Sequence, residues 1–574
     1  MIGARTSNDG RILDVPAALR ACWYHFTVTF AFSMVINLLY LAPTIYMMQV
    51  GDRVLTSGSK ETLAMLTLIM VLSLLTLVGL DTVRSRILVR SGMRFDAMLS
   101  NRVVAATIDH ALRQRGMGQT DSVQTLDNFR QFVTGPGVHA IFDLPWVPIY
   151  LAVLFFIHPT LGLTTTVFMA LLIALAILTE IATAKPLRQA NQAGERSYTL
   201  AKSTQQNAEV VQAMGMLDGL LQRWSRDRTL MLIQQAIASD RMAVMTNISK
   251  FLRLLVQSLL LALGALLTLD GAITSGGMFA SMLLVGRATQ PIDQVVGSWR
   301  SIVIARNAYA SLLNLLGGKS AKKSGTSLPR PKAHLIVDKL SFIPPGMQKP
   351  VLFNLSFQIK PGTALAVIGP SAAGKSTLAR LLVGVIEPSA GEVRLDGASV
   401  STWDKSDLGR YIGYLPQDVE LFEGTVAENI ARFTSGESED IVRAAKAAGA
   451  HEMILRLPAG YDTPIGEGGA LLSGGQRQRI GLARAVYGDP VFVVLDEPNS
   501  NMDTEGEVAM ARCMIQMKID KKAVVLITHR PANLSLVENV MHLNEGRAAA
   551  ILPRDEMIAK LSQSNIIQPE VRKA

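Results

Sequence analysis

Leu472-Ser473-Gly474-Gly475-Gln476 stands about a hundred residues after a second glycine-rich stretch, Gly369-Pro370-Ser371-Ala372-Ala373-Gly374-Lys375-Ser376-Thr377. The longer stretch has the spacing of a phosphate loop. The short apolar run Ala364 to Ile368 feeds it, and the helical pattern Leu378 to Val383 follows it. Strand, glycine loop and helix are the context in which backbone N–H groups and a helix N-terminus bind phosphate. Lys375 is placed to reach the β- and γ-phosphates and Ser376 to hold Mg²⁺. The Ser-Gly-Gly-Gln stretch opens a helix of its own and presents a second phosphate-binding surface, which one domain cannot fold back onto its own loop. Ala372 stands where many such loops carry glycine, and its small methyl should leave binding intact.

Working outward, Phe492-Val-Val-Leu495 reads as a buried strand that ends in Asp496-Glu497. About 120 residues after a phosphate loop, such a pair suits Asp496 as a Mg²⁺ carboxylate and Glu497 as the group that polarises an attacking water.

The membrane character lies upstream. Apolar runs at about 21–48, 61–83, 138–157, 160–182, 250–269 and 275–298 are each long enough to cross a bilayer as a helix. The third begins among Asp143, Pro145 and Pro148. The first is too long for a signal-peptide core and lacks a cleavage site, so it should be retained. Positive residues fill two connections: Arg84, Arg86, Arg90, Arg94 and Arg102 in one, and Lys185, Arg188, Arg196, Lys202 and Arg223 in the other. The alternate connections are short and nearly free of them. Both termini should therefore be cytoplasmic. The two basic loops keep helical periodicity, so the membrane helices should run on into the cytoplasm. The net charge of +10 sits in these loops, which favours an anionic membrane surface over nucleic acid. Cys22 and Cys513 match no metal or redox spacing and should be free thiols.

Together the phosphate loop, Ser473 to Gln476 and Asp496-Glu497 resemble the ATP-binding cassette (ABC) family, in which the signature of one domain closes over the nucleotide of another. The resemblance implies an α-helical six-span transmembrane domain of exporter type over 1–316. A linker at 317–332 and an α/β P-loop ABC ATPase domain over 333–560 follow, with a tail at 561–574. It implies ATP and Mg²⁺ as ligands, with Ser376, Gln417 and Asp496 at the metal. Gln417, in Tyr414-Leu-Pro-Gln417, resembles the family's loop glutamine. His529, in Leu526-Ile-Thr-His529, resembles its switch histidine, and Ser500 to Asp503 its loop between domains. Glu467 resembles a contact to the membrane half. Each site of a homodimer would then combine Lys375, Ser376, Gln417, Asp496, Glu497 and His529 of one chain with Ser473, Gly474, Gly475 and Gln476 of the other. The pattern departs at the nucleobase: Pro344 stands where an aromatic usually stacks, with Phe342 two residues away.

Two membrane stretches, Leu41 to Leu55 and Phe142 to Tyr150, look like the inner-membrane ATPases of type I protein secretion, in the short branch that exports proteases and lipases. That likeness implies a bacterial inner-membrane protein. Its partners would be a periplasmic adaptor, an outer-membrane channel and a secreted protein substrate with a C-terminal signal. A first span near residue 21 leaves no room for an N-terminal peptidase domain. A lipid, drug or polysaccharide exporter of the same architecture is the alternative. Asp143, Lys250, Arg253 and Arg287 fall within or beside spans, where charge facing lipid costs several kcal/mol. Lys250 and Arg253 should snorkel, while Arg287 is deep enough to face a pathway.

Overall fold

The structure, a computed structural model, describes residues 14–113, 122–317 and 328–563. The chain divides into two compact units, Met1–Ala111 with Gly116–Ala321, and Leu112–Arg115 with Lys322–Ala574. Residues 318–327 of the expected linker and 564–574 of the expected tail lie outside the described residues, as does the Glu467 side chain.

The first unit is helical. Its principal helices are α1 (Val15–Ala21), α2 (Trp23–Leu39), α3 (Ala42–Gln49), α4 (Lys60–Arg113), α5 (Ser122–Thr134), α6 (Pro136–Asp143), α7 (Val147–Ile157), α8 (Pro159–Gln206), α9 (Leu217–Leu269), α10 (Ser275–Gly297) and α11 (Trp299–Gly317). With 54, 48 and 53 residues, α4, α8 and α9 each reach about 70–80 Å at the helical rise. That is more than twice a bilayer hydrocarbon core of about 30 Å. Leu68, Ile69, Leu72, Leu75 and Val78 line an exposed face of α4, which a bilayer would cover.

Among the described residues, five helical stretches are long and apolar enough to cross a membrane: Trp23–Ser57, Lys60–Leu112, Pro136–Ile157, Pro159–Gln206 and Leu217–Leu269. The sixth expected span forms α10, a single helix of 23 residues, but Arg287, Gln290, Asp293 and Gln294 interrupt its apolar character. The reason is position. Leu284, Val285, Ala288 and Ile292 of α10 pack with Tyr150, Leu154, Val256 and Leu260 in one core, and a helix enclosed by protein needs no apolar perimeter. The first stretch also runs past its expected end at 48, through a π-helical turn at Val50–Val54. The third starts at Pro136 and is broken by a 3₁₀ turn, Leu144–Trp146, at the two prolines.

The second unit is α/β. A four-stranded antiparallel sheet takes the order β2-β1-β4-β5, from β1 (Leu335–Phe342), β2 (Leu352–Ile359), β4 (Ala390–Leu395) and β5 (Ala398–Ser399). A six-stranded sheet takes the order β10-β9-β3-β8-β7-β6. It is built from β3 (Ala364–Ile368), β6 (Ile412–Leu415), β7 (Phe492–Asp496), β8 (Ala523–Ile527), β9 (Asn539–Asn544) and β10 (Arg547–Pro553). Its strands are parallel except for β10. β7 and β8 are buried at every residue, as expected of strands covered on both faces.

Candidate functional site

Register brings the site together. Val367 of β3 pairs with Ile527 of β8, and Ile527 with Asp496 of β7, so three strands end in one row. The next residues along each strand are the phosphate loop from Gly369, Thr528-His529, and Glu497. Leu415 of β6 pairs with Leu495, which sets Gln417 just beyond the same edge. Ligands of parallel α/β sheets bind at this carboxyl edge.

The loop needs its glycines. A Cβ on Gly369 would lie 2.1 Å from the Leu543 carbonyl oxygen. Gly374 has φ 98° and caps the helix α12 (Lys375–Leu382). Ala372 adopts φ 63°, a left-handed conformation that costs an L-residue about 1–2 kcal/mol. The Lys375 ammonium donates to the Gly369 and Pro370 carbonyls at 2.9 and 2.8 Å, so it lies over the mouth of the loop.

Asp496 is 1% exposed, and its Oδ1 has no hydrogen-bond partner. Burial raises its pKa, against the pull of the Ser376 hydroxyl bonded to it. A buried carboxylate oxygen without a donor beside a serine hydroxyl fits a hard divalent cation. Glu497 follows at φ 50°. Its Oε1 lies 3.4 Å from His529 Nδ1, and its Oε2 accepts from Gln417 Nε2 at 3.4 Å. The three expected catalytic residues therefore meet. Gln417 touches Glu497, and the Ser376–Asp496 pair forms without it.

Ser473 caps the helix α13 (Gly474–Val486), which begins at Gly474. Its hydroxyl accepts from Gln476 N while the Gln476 side chain accepts from Ser473 N at 2.8 Å, a reciprocal capping box. Gly475 lies against the Asn501 backbone, where an added Cβ would come within 2.9 Å of the carbonyl oxygen. Ser473, Gly475 and Gln476 line a cavity of about 1020 Å³ with Asn501 and Asp503, and none of the phosphate-loop residues borders it. Within one chain the two phosphate-binding surfaces stay apart.

Gln478 and Asn533 contribute with no motif to announce them. Gln478, 1% exposed, donates to the Pro498 carbonyl at 2.9 Å and braces the turn that carries Glu497. Asn533 donates to Asn499 and Thr528 at 3.2 and 3.0 Å, tying the Glu497 and His529 loops together. Asp503 accepts from Gly506 N at 2.9 Å and from Arg479, capping the helix α14 (Thr504–Ile519). Phe342 is half-buried and packs against the sheet core. Pro344 begins the exposed turn after β1, with Met347 N bonded to its carbonyl at 3.1 Å.

The two distinctive membrane stretches also resolve into contacts. Asp52 accepts from Thr274 Oγ1 at 2.8 Å and from Gly276 N at 2.9 Å, holding the start of α10. A Cβ on Gly51 would lie 2.6 Å from Gly276 Cα, so these backbones touch. Asp143 pairs with Arg84 at 2.8 Å and accepts from Asn37 at 2.9 Å. The Tyr150 hydroxyl donates to Asn37 Oδ1 at 2.8 Å. Arg253 pairs with Asp293 of α10 rather than snorkelling free. Cys22 and Cys513 are both buried free thiols.

Comparison with known proteins follows the same division. The ABC transporter model matches residues 352–500 and the ABC transporter transmembrane region model residues 26–292. The chain is 41% identical, over 97% of its length and 96% of the relative's, to the type I secretion system ATP-binding protein PrsD of Rhizobium meliloti (strain 1021). It is 28% identical, over 92% of this chain and 75% of the relative, to the cyclolysin secretion/processing ATP-binding protein CyaB of Bordetella pertussis. A solved bacterial Atm1-family ABC exporter with ATP bound superimposes with a TM-score of 0.81, covering 98% of this chain and 100% of the other at 21% identity. That last likeness speaks to fold.

Proposed function

The chain belongs to the ABC transporter family, with a transmembrane region and an ATPase domain in one polypeptide, and we propose that it powers type I protein secretion, exporting unfolded polypeptide across the bacterial inner membrane. One observation carries this reading. The 41% identity to a type I secretion ATP-binding protein spans 97% of the chain, so it covers the membrane region that meets the cargo as well as the motor.

The chemistry is ATP hydrolysis by in-line attack of water. Glu497 polarises that water, positioned by Gln417 and His529, and Lys375 balances phosphate charge. Ser376 and Asp496 would hold Mg²⁺, with Gln417 beside them, and the ion would neutralise charge on the phosphates. Residues Gly369 to Thr377 cradle the phosphates through backbone N–H groups. The chain acts as a homodimer, in which Ser473, Gly474 and Gly475 of the partner subunit complete each site while Gln476 holds the cap. Both termini face the cytoplasm. A periplasmic adaptor and an outer-membrane channel continue the route, and the substrate carries a C-terminal signal.

The test is ATP turnover by the full chain in lipid nanodiscs, with and without peptides from the C-termini of candidate secreted proteins. A change of at least twofold with such a peptide is expected. Response to a lipid, drug or polysaccharide and to none of the peptides would sink the secretion reading.

A further inference from the structure

The membrane unit encloses a polar cavity of about 420 Å³ that the ATPase chemistry does not use. One part of its wall is Arg84, only 5% exposed. Its Nη1 meets Asp143 at 2.8 Å and the Ser33 hydroxyl at 2.9 Å, and its Nη2 meets Asp81 at 2.7 Å. Its Nε is buried and has no acceptor. Another part is Arg287. Its guanidinium carbon sits 3.9 Å from the centre of the Tyr40 ring, and its Nη1 donates to Gln290 at 3.0 Å. Among the described residues Arg287 takes part in no direct ion pair, and Asp81 and Asp143 line the same cavity.

Charge separates across these walls. Arg84 between two aspartates forms a group of net charge −1, while Arg287 faces the same cavity as a cation on an aromatic ring without a direct ion pair. Cation–π support of this kind fixes a guanidinium without using its hydrogen-bond donors. Asn37 and Tyr40 lie in the stretch Trp23–Ser57 and Asp143 and Tyr150 in Pro136–Ile157, both long and apolar enough to cross a membrane. A cation without a direct ion pair among such stretches is costly unless it serves a ligand or a water-filled path. The aliphatic lining is Val89 and two prolines, Pro136 and Pro291, which gives an acyl chain no trough.

We propose that this cavity is a peptide subsite of the translocation pathway, in which Arg287 takes a carboxylate of an extended polypeptide. Arg84 Nε supplies a further donor, and Tyr40 acts as a positioning residue. The inference rests on the secretion reading, and deepens it by naming the chemistry the pathway selects: carboxylate on an otherwise polar chain.

The experiment uses the full chain in nanodiscs and a fluorescein-labelled 20-residue Gly-Ser-Asp repeat peptide, read by anisotropy. Three comparison peptides replace Asp by Asn, amidate the C-terminus, or do both. Asp→Asn should weaken binding at least tenfold if side-chain carboxylates are the ligand, and amidation alone should do so if the terminal carboxylate is. Arg287→Gln should abolish the distinction between acidic and neutral peptides, and Arg287→Lys should restore at least a third of it. Tyr40→Leu should weaken acidic-peptide binding several-fold. Equal binding of all four peptides, with Arg287→Gln indistinguishable from wild type, would overturn the carboxylate site and leave protein secretion standing. Displacement by phosphatidylglycerol but not by unlabelled acidic peptide would reassign the cavity to a lipid headgroup. Failure to bind any peptide, with no ATPase response to any, would overturn this inference and the secretion reading together.

Discussion

Each unit gathers distant residues around an aspartate sheltered from solvent, and the two aspartates are left in opposite states. Asp143, in the membrane unit, is met by Arg84 and Asn37, with Tyr150 holding Asn37 in turn. Asp496, in the ATPase unit, keeps one buried oxygen without a partner. Asp143 is a finished contact that holds helices together. Asp496 is an unfinished one, which the proposed Mg²⁺ would complete. The contrast separates a polar group that stabilises structure from one that stores unfavourable desolvation for function.

The sharpest way to break the comparison is at Glu497, next to the unfinished group. Glu497→Gln keeps the contact to Gln417 but removes the base, and general-base loss costs roughly 10²–10⁴ in rate. Phosphate release should fall at least a hundredfold, while ATP accumulates on a dimer that stays closed in cross-linking. Retention of more than a tenth of wild-type turnover would show that Glu497 is not the base.

At Asp143 the expected loss is in folding. Asp143→Ala leaves buried Arg84 with Asp81 and Ser33 as its remaining partners, and a lost hydrogen bond to a charged group costs about 1.5–3 kcal/mol. Thermal unfolding in nanodiscs should fall, and the double variant Arg84→Met/Asp143→Leu should recover much of the loss because the one charge it leaves, Asp81, is 43% exposed. If the double variant were as unstable as the single one, the pair would not be the source.

The same contrast governs what could be read from the sequence. In the ATPase unit the groups sit one or two residues beyond strands whose register aligns Val367, Ile527 and Asp496. A strand end fixes where the next side chain points, so phosphate loop, Asp496-Glu497 and His529 become short local words. Gln478 and Asn533 reach the same turn by tertiary packing, from positions that no local pattern marks. In the helical unit the partners of Asp143 come from α2 and α4, 106 and 59 positions away, with no spacing to announce them. Periodicity likewise finds helices that face lipid. It under-reads α10, whose neighbours are protein and whose polar residues have internal partners such as Arg253.

A finer test exploits the cost carried by Asp496. Its pKa is raised by burial, so above that pKa the folded state holds a desolvated charge. Below it the group is protonated and the cost disappears. In that window the folded state binds more protons than the unfolded one, and stability contributed by this group rises as pH falls. Asp496→Asn carries no charge at either pH. It should therefore be more stable than wild type at pH 8, by about 1 kcal/mol, with the gap closing as pH falls. Turnover should be lost throughout. A gap that widened on acidification would mean that Asp496 is stabilised by a partner, as Asp143 is.

The smallest expected effect lies in the loop that faces the same site. Ala372 holds φ 63°, a conformation that glycine adopts without the Cβ clash, and non-glycine residues held there cost of the order of 1–3 kcal/mol. Glycine also gains freedom in the unfolded chain, which offsets about 0.4–1 kcal/mol of that relief. Ala372→Gly should therefore raise stability by about 1 kcal/mol at most, read as a small upward shift in Tm, with ATP affinity within about twofold of wild type. A loss of stability would show that the loop tolerates alanine without strain. A loss of affinity would show instead that the strained backbone is what aims the loop's N–H groups at phosphate, so that the ATPase unit, like its aspartate, holds its site ready at the expense of its fold.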